Sequence, residues 1–351
     1  MSLPISGIYS AYTHCSDMAQ LPQPRLESIL GAVCFVESLI DNTTEIPMIQ
    51  IHAPVLDGAD TACELWLSHA ALVSEKPLVH GSYGDIQYRF NDKFLFGVIS
   101  LPESAPGQTG TASAPLQQAT ESAYRQIFAL MDDLDYPYAY RLWNYMADIN
   151  GISHGLERYR QFNVGRKDAY LACGREVGGQ LPAACALGVA DGPLTIAFLL
   201  GRKAPIAIEN PRQVSAYEYP EEYGPRTPSF SRATLLCTGL NDLLFISGTA
   251  SIVGHQSLHE SDVVAQTRET LTNLQAVLAE ANRKLGEQKF DLQHIFFRVY
   301  IRHATDLSLV QNEMQRHIGG TIKATFVRAD ICRRELLLEI EATAWHLSEH
   351  S

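Results

Sequence analysis

Positive charge is scarce in this sequence: 27 lysines and arginines stand against 39 aspartates and glutamates, a formal net charge of −12. A chain this acidic excludes the basic face that tracks nucleic acid or anionic lipid, so neither is expected as a partner. An anionic small molecule would need arginines gathered locally. Long apolar runs are also missing. No stretch approaches the roughly 18 uncharged apolar residues of a membrane-spanning helix. The N-terminus, MSLPISGIYSAYTHCSDM, has no basic segment followed by an apolar run, so no secretory signal is read and a cytoplasmic location is expected. The 7 cysteines (Cys15, Cys34, Cys63, Cys173, Cys185, Cys237 and Cys332) form no C-x-x-C pair and no zinc spacing. An odd, scattered set reads as reduced thiols without a disulfide framework. Charged residues reach only 19% against 46% hydrophobic. That balance excludes disordered, collagenous and coiled-coil classes. At 351 residues the chain can bury a sizeable core, and two domains are expected.

What is present is a weak internal repeat. In the second half, LLFISG (Leu243 to Gly248) reads as a buried strand, followed by the loop TASIVGHQS. Val264, Thr267, Leu271, Leu274, Leu278 and Ala281 then fall at helical spacing. HIFFRVYIRH alternates as a strand, LSLVQNEMQRHI is a second helix closed by Gly319 and Gly320, and TIKATFVRAD and ELLLEIEATA read as a hairpin. The first half repeats the order: DKFLFGVISL, the loop PESAPGQTGTASAP, the helix LQQATESAYRQIFALMDDL, the strand AYRLWNYMADI, the helix LERYRQFNVGRKDAYLACGRE, and a closing hairpin of PAACALGVA and GPLTIAFLLG. The fold class is therefore α+β, with two tandem halves, each a mixed sheet packed on helices. The halves are placed at 1–201 and 233–351. Between them, 202–232 holds prolines interleaved with Tyr217, Tyr219, Tyr223 and Phe230, which reads as an ordered loop packed on something rather than a Gly/Ser spacer. Before residue 93, PMIQIHAPVL and GDIQYRF read as strands and CELWLSHAALVS as a short helix, an extension of the first half's sheet with no chemistry of its own.

The best candidate for chemistry is Glu339. Residues two apart share a strand face, so Leu336, Leu338, Ile340, Ala342 and Ala344 line one side and Glu335, Leu337, Glu339, Glu341 and Thr343 the other. Desolvation and a like charge both raise a carboxyl pKa, which suits a general acid near neutrality. The plainer alternative is a solvated strand face. The matching strand of the first half, LTIAFLLG, has no carboxylate, so only the second half carries an acid. Arg298, Tyr300 and Arg302 share a face and can hold a carboxylate by bidentate bonds. Arg158, Arg160 and Arg166 form a second basic cluster, where Gly165 marks a possible helix break. His255 and His259 are four apart, but lie in a loop with no third ligand, so no metal is expected. Asp262 or Ser261 reads as the following helix's N-cap.

These stretches resemble a known family. The strand, helix, strand, helix, strand, strand order with an "EIEA" closing strand is similar to the YjgF/RidA-like fold. RLWNYMADIN (Arg141 to Asn150), RYRQFNVGR (Arg158 to Arg166), IENPRQVSAYEYPEEYGPRTPSFSRA (Ile208 to Ala233), FISGTASIVGHQSLHESDV (Phe245 to Val263) and ICRRELLLEIEAT (Ile331 to Thr343) more specifically resemble the chorismatases. Within that family the chain looks most like the bacterial hydroxybenzoate-forming enzymes that feed aryl-polyene pigment and ubiquinone synthesis. The resemblance implies two RidA-like halves, a degenerate first site and a catalytic second half. It implies that Glu339 is the catalytic glutamate and that Cys332 sits where cysteine accompanies 3-hydroxybenzoate formation. It also implies that Arg166, Tyr219, Tyr223, Gly248 and Ser251 contribute to the substrate pocket, to which the strand reading adds Arg302. RidA-type deaminases carry Pro-Ala-Arg where this chain has Ile322-Lys323-Ala324, which argues against imine hydrolysis.

The implied reaction cleaves the enolpyruvyl ether of chorismate to pyruvate and a hydroxybenzoate, with no cofactor. Whether the product is 3-hydroxybenzoate, 4-hydroxybenzoate or a dihydroxycyclohexadiene acid is left open, as is monomer against homo-oligomer. A RidA-like enamine/imine deaminase and a non-catalytic small-carboxylate-binding protein are the alternatives.

Overall fold

The computed structural model describes residues 7–18, 20–38, 45–58, 61–68, 77–103, 113–175, 178–238 and 241–347. Most of the first half's Gly/Pro/Thr-rich loop, 104–112, and the end of CELWLSHAALVS lie outside them.

Three sheets are built in succession. The first has strands β1 (Ile8–Thr13), β2 (Ile29–Val36), β3 (Met48–His52) and β4 (Thr61–Ser68), with only short helices α1 (Cys15–Met18) and α2 (Gln23–Glu27) between β1 and β2. The second has β5 (Val79–Tyr83), β6 (Ile86–Phe90), β7 (Phe94–Leu101), helix α3 (Pro115–Asp133), β8 (Tyr138–Ala147), a small hairpin β9 (Ile152–Ser153) and β10 (Leu156–Glu157), helix α4 (Arg158–Ala172), β11 (Ala183–Val189) and β12 (Leu194–Gly201). The third has β13 (Ile206–Ile208), β14 (Ala233–Cys237), β15 (Asn241–Thr249), a hairpin β16 (Ile252–Val253) and β17 (Gln256–Ser257), helix α5 (Val263–Leu285), β18 (Ile295–Ile301), helix α6 (Leu307–Ile318), β19 (Lys323–Arg328) and β20 (Leu338–Leu347). Asp262 caps α5 through the Ala265 N–H, and Gly286 ends it in the left-handed region. No described helix is long and apolar enough to cross a membrane.

The sheet orders are β1-β4-β2-β3, β11-β8-β12-β7-β6-β5 and β13-β14-β15-β20-β18-β19. Each therefore contains one motif: a first strand, then the fourth, second and third, with the second and third parallel. The closing pairs read as hairpins are not hairpins. β8 lies between β11 and β12, and β18 between β19 and β20. Parallel pairs β8/β11 and β18/β19 need a crossover, which α4 and α6 supply, and the chain then steps back over the intervening strand.

The N-terminal region also departs from expectation. Only β5 and β6 extend the second sheet; β1 to β4 form a sheet of their own. Thr61–Ser68 is a strand, not a helix, and is buried on both faces: Cys63, Leu65 and Leu67 pack one way and Trp66 the other. Cys34 and Cys63 are directly opposed on β2 and β4 and are joined as a disulfide, against the expectation of reduced thiols; Cys173, Cys185, Cys237 and Cys332 are free. Gly165 does not break α4, which runs through it. A Cβ there would overlap the Gln117 carbonyl, so the glycine lets α4 approach α3 closely.

Helices α3 and α4 cover one face of the second sheet, and α5 and α6 one face of the third. The opposite faces meet the first sheet in a shared core. Trp66 lies 5.6 Å from Trp143 and 5.7 Å from Phe245, so one aromatic from each sheet meets at the centre. Backbone bridges Ala183–Ser231, Gly188–Asp330 and Val55–Val327 join the sheets at their edges.

Candidate active site

The seam between the second and third sheets opens into a cavity of about 370 Å³, within the usual range for small-molecule sites. Its floor is β20. Glu339 is paired opposite Tyr300 of β18 and is 4% exposed. On its other side β15 carries a bulge between Ile246 and Thr249. The bulge places Gly248 against Glu339, where any Cβ would overlap the carboxylate. Ser247, beside it, accepts from the Ala184 N–H at 2.9 Å and donates to the Ser231 carbonyl at 2.5 Å, which ties the two sheets together at the floor.

Five arginines line the cavity. Arg160 of α4 pairs with Glu157 at 3.2 Å, and Arg334 donates to the Asn150 carbonyl at 2.8 Å. The other three are Arg166 from α4, Arg232 at the start of β14, and Arg333 from the connection before β20. Arg166 donates to Asn163 at 2.8 Å. Arg232 donates to the Tyr219 hydroxyl and the Val214 carbonyl, each at 2.8 Å. Arg333 donates to the His255 carbonyl at 2.8 Å and stacks over Tyr223, 4.0 Å from the ring centroid. Among the described residues none of the three pairs with a carboxylate, and each keeps a buried nitrogen without an acceptor: Nε of Arg166 and Arg232, and NH2 of Arg333. Buried guanidinium nitrogens without an acceptor suit an anionic ligand.

The electrostatics of the floor differ sharply over two residues. Burial and then the neighbouring Glu341 charge raise Glu339 to about 8, against the pull of Arg141 and Arg232. Burial also pushes Glu341 up, but Arg141 and Arg298 together outweigh it and hold that carboxyl below its ordinary range. One acid is thus neutral and the other ionised at pH 7. Cys332 Sγ lies 4.0 Å from Glu339 Oε2, and burial followed by the Glu339 charge pushes the thiol up to about 12.

Of the residues named from sequence, Glu339, Cys332, Arg160, Arg166, Tyr219, Tyr223, Phe230 and Gly248 line the cavity. Ser251 and Arg302 do not. The Ser251 hydroxyl turns away to the Leu258 carbonyl at 3.0 Å and holds the β16/β17 hairpin. Arg302 points to Asp330 at 2.6 Å and to the carbonyls of Leu336, Ile331 and Arg333. It clamps the connection that carries Cys332 and Arg333 into the cavity. Its strand neighbours Arg298 and Tyr300 bind the protein's own carboxylates, Glu64 and Glu341. Arg158 pairs with Glu103, His255 meets Tyr223, and His259 meets Glu269. Sequence reasoning missed Arg232 and Arg333. Both lie in the quoted motifs, SFSRA and ICRREL, but neither sits on a strand face where alternation would have drawn attention to it.

Sheet order and cavity together define an α+β protein of two helix-backed RidA-like halves with a cavity at their seam. Two family models match the chain: residues 66–200 match "Chorismatase FkbO/Hyg5-like, N-terminal" and residues 227–346 match "Endoribonuclease L-PSP". The chain belongs to the chorismatase family. It is 33% identical to a 3-hydroxybenzoate synthase of Streptomyces hygroscopicus over 97% of this chain and 98% of that one. It is 36% identical to a chorismatase of Streptomyces rapamycinicus over 84% of this chain and 85% of that one. A chorismatase crystal structure superposes with a TM-score of 0.84 at 32% identity, covering 98% of this chain and 100% of that one.

Proposed function

We propose that this enzyme cleaves the enolpyruvyl ether of chorismate to pyruvate and 3-hydroxybenzoate, with Glu339 as general acid. The observation that carries the reading is a neutral buried carboxyl sharing its cavity with Arg166, Arg232 and Arg333, none of which forms a salt bridge with a carboxylate among the described residues. Chorismate is a dianion with one protonatable enol ether. Arg166, Arg232 and Arg333 hold the two carboxylates. Glu339 gives its proton to the terminal methylene carbon, and the π pair forms the new C–H bond. The neighbouring carbon becomes an oxocarbenium ion beside the newly formed Glu339 carboxylate, which stabilises it. Water attack gives a hemiketal that releases pyruvate by breaking the bond between the ether oxygen and the pyruvyl carbon, and the proton of the attacking water returns to Glu339. In the aromatic route the neighbouring ring hydroxyl bonds to the pyruvyl carbon and gives its proton back to Glu339. Its bond to the ring and the bond between the ether oxygen and the pyruvyl carbon then break, and that hydroxyl oxygen leaves in pyruvate. The ether oxygen stays on the ring and takes up a proton as the ring loses the hydrogen on the carbon that bears it. Pyruvate plus hydroxybenzoate together contain the atoms of chorismate, so the aromatic route consumes no net water; the diene-diol route consumes one. Cys332, a neutral thiol beside the acid, shapes the place where the nucleophile stands. The deaminase reading finds no support at the start of β19, where Ala324 occupies the position of the RidA arginine.

The test is chromatography of the products formed from chorismate by wild type and Glu339→Gln. Pyruvate and 3-hydroxybenzoate in equal amounts are expected from wild type. A dihydroxycyclohexadiene acid as the main product would refute the aromatic assignment, and absence of pyruvate would refute the reaction.

A further inference from the structure

A buried ion cluster sits where the three sheets meet, and the chemistry above does not use it. Arg298 of β18 is 2% exposed and bridges two carboxylates. One is Glu341 of β20, at 2.7 Å; the other is Glu64 of β4, contributed by the first sheet. Arg141 of β8, from the second sheet, closes the cluster onto Glu341. Two guanidiniums therefore face two carboxylates, with balanced charge. Glu339 lies two residues along β20 from Glu341, on the same strand face.

We propose that Glu64 is a positioning residue for the reaction: by sharing Arg298 with Glu341 it keeps the cluster neutral, so that no surplus cation draws the proton off Glu339. The proposal rests on Glu339 being the general acid. The groups that face Glu339 are Glu341 on its own strand, Arg141 from β8, Arg232 before β14, Cys332 before β20, Cys185 from β11 and Tyr159 from α4. Those that face Glu64 are Tyr12 of β1, Arg298, Glu341 and Arg141. Burial pushes the Glu64 carboxyl up, and Arg298 is the main group opposing that shift. Every charge near Glu64 thus belongs to the cluster, and removing Glu64 unbalances it by one.

The experiment measures kcat/KM for chorismate against pH in wild type, Glu64→Gln, Glu64→Asp, Arg298→Gln and Glu339→Gln. Glu64→Gln leaves surplus positive charge, favours the Glu339 carboxylate, and should move the basic limb down by about one pH unit. Its plateau at lower pH should stay within a few-fold of wild type. Arg298→Gln leaves surplus negative charge and should move the limb up. Glu64→Asp keeps the charge and should hold the limb at its wild-type position. Opposite shifts from the two neutralising variants support the proposal, since lost packing alone would lower the plateau without moving the limb. Limbs that superimpose, or that move in the same direction, overturn it. Failure of both variants to fold also overturns it and makes the cluster a folding element only. Near-normal activity of Glu339→Gln would instead remove the premise.

Discussion

Glu339→Gln should not only abolish turnover but also change stability in a pH-dependent way. The carboxyl rises from an ordinary 4.5 to about 8 in the folded chain. At roughly 1.4 kcal/mol per pH unit, that difference amounts to about 5 kcal/mol. The sign follows from which state binds the proton. Below about pH 4.5 both folded and unfolded chains are protonated, and the group takes nothing from stability. As pH rises towards 8 the unfolded chain ionises while the folded chain does not, so wild-type stability falls across this window. Above 8 both are ionised and the loss is constant. Glutamine does not titrate, so the variant escapes this loss. A buried amide with imperfect partners costs about 1–3 kcal/mol, but equally at every pH. The stability of Glu339→Gln minus that of wild type should therefore climb by about 4 kcal/mol between pH 5 and pH 8, whatever its starting offset. Urea unfolding at four pH values, with equal m-values for the two proteins, measures the difference curve. A flat curve would show that Glu339 ionises like an exposed carboxylate, and a residue ionised at pH 7 cannot serve as the acid.

Three further outcomes are expected. Arg333→Ala should raise KM for chorismate with a smaller change in kcat, because losing a hydrogen bond to a charged partner costs about 1.5–3 kcal/mol; an unchanged KM in steady-state kinetics would remove it from the anion site. Arg302→Ala should lower Tm and kcat together by freeing the connection from Asp330 to Leu336, and a change confined to KM would contradict its role as a clamp. Cys332→Val should still release pyruvate but alter the ratio of hydroxybenzoate to dihydroxycyclohexadiene acid on a chromatogram, and an identical ratio would reduce Cys332 to packing.

What was legible in the sequence was whatever repeats locally. The period of β20 put Glu339 and Glu341 on one face, and helical spacing located α3, α5 and α6. Strand adjacency is not local. Nine residues between Arg328 and Leu338 look like a hairpin connection, yet β18 takes the place between those strands because α6 has already brought β19 alongside it. The third copy of the motif was hidden because, among the described residues, its helices are two short ones of four and five residues, both between its first two strands, too short to show a helical period. The arginines show a different limit. Alternation tells which side of β18 Arg298 and Arg302 occupy, but not that Glu64, Glu341 and Asp330 wait there to neutralise them. Arg232 and Arg333 reach the cavity from irregular segments, and no spacing rule marks such segments.

The tie from Ala184 through Ser247 to Ser231 has a consequence for how the site comes into being. The wall bearing Arg166 and the floor bearing Glu339 belong to one polypeptide, so the reaction vessel closes by folding rather than by encounter. Such a seam has no dissociation constant, and dilution cannot part its two sides. The two sides of the seam are translated, matured and degraded in fixed one-to-one proportion. Because the seams joining the three sheets are not related by exact symmetry, a change at one need not be copied at the others. The chain is therefore free to keep an acid at one seam while a balanced salt cluster fills the centre.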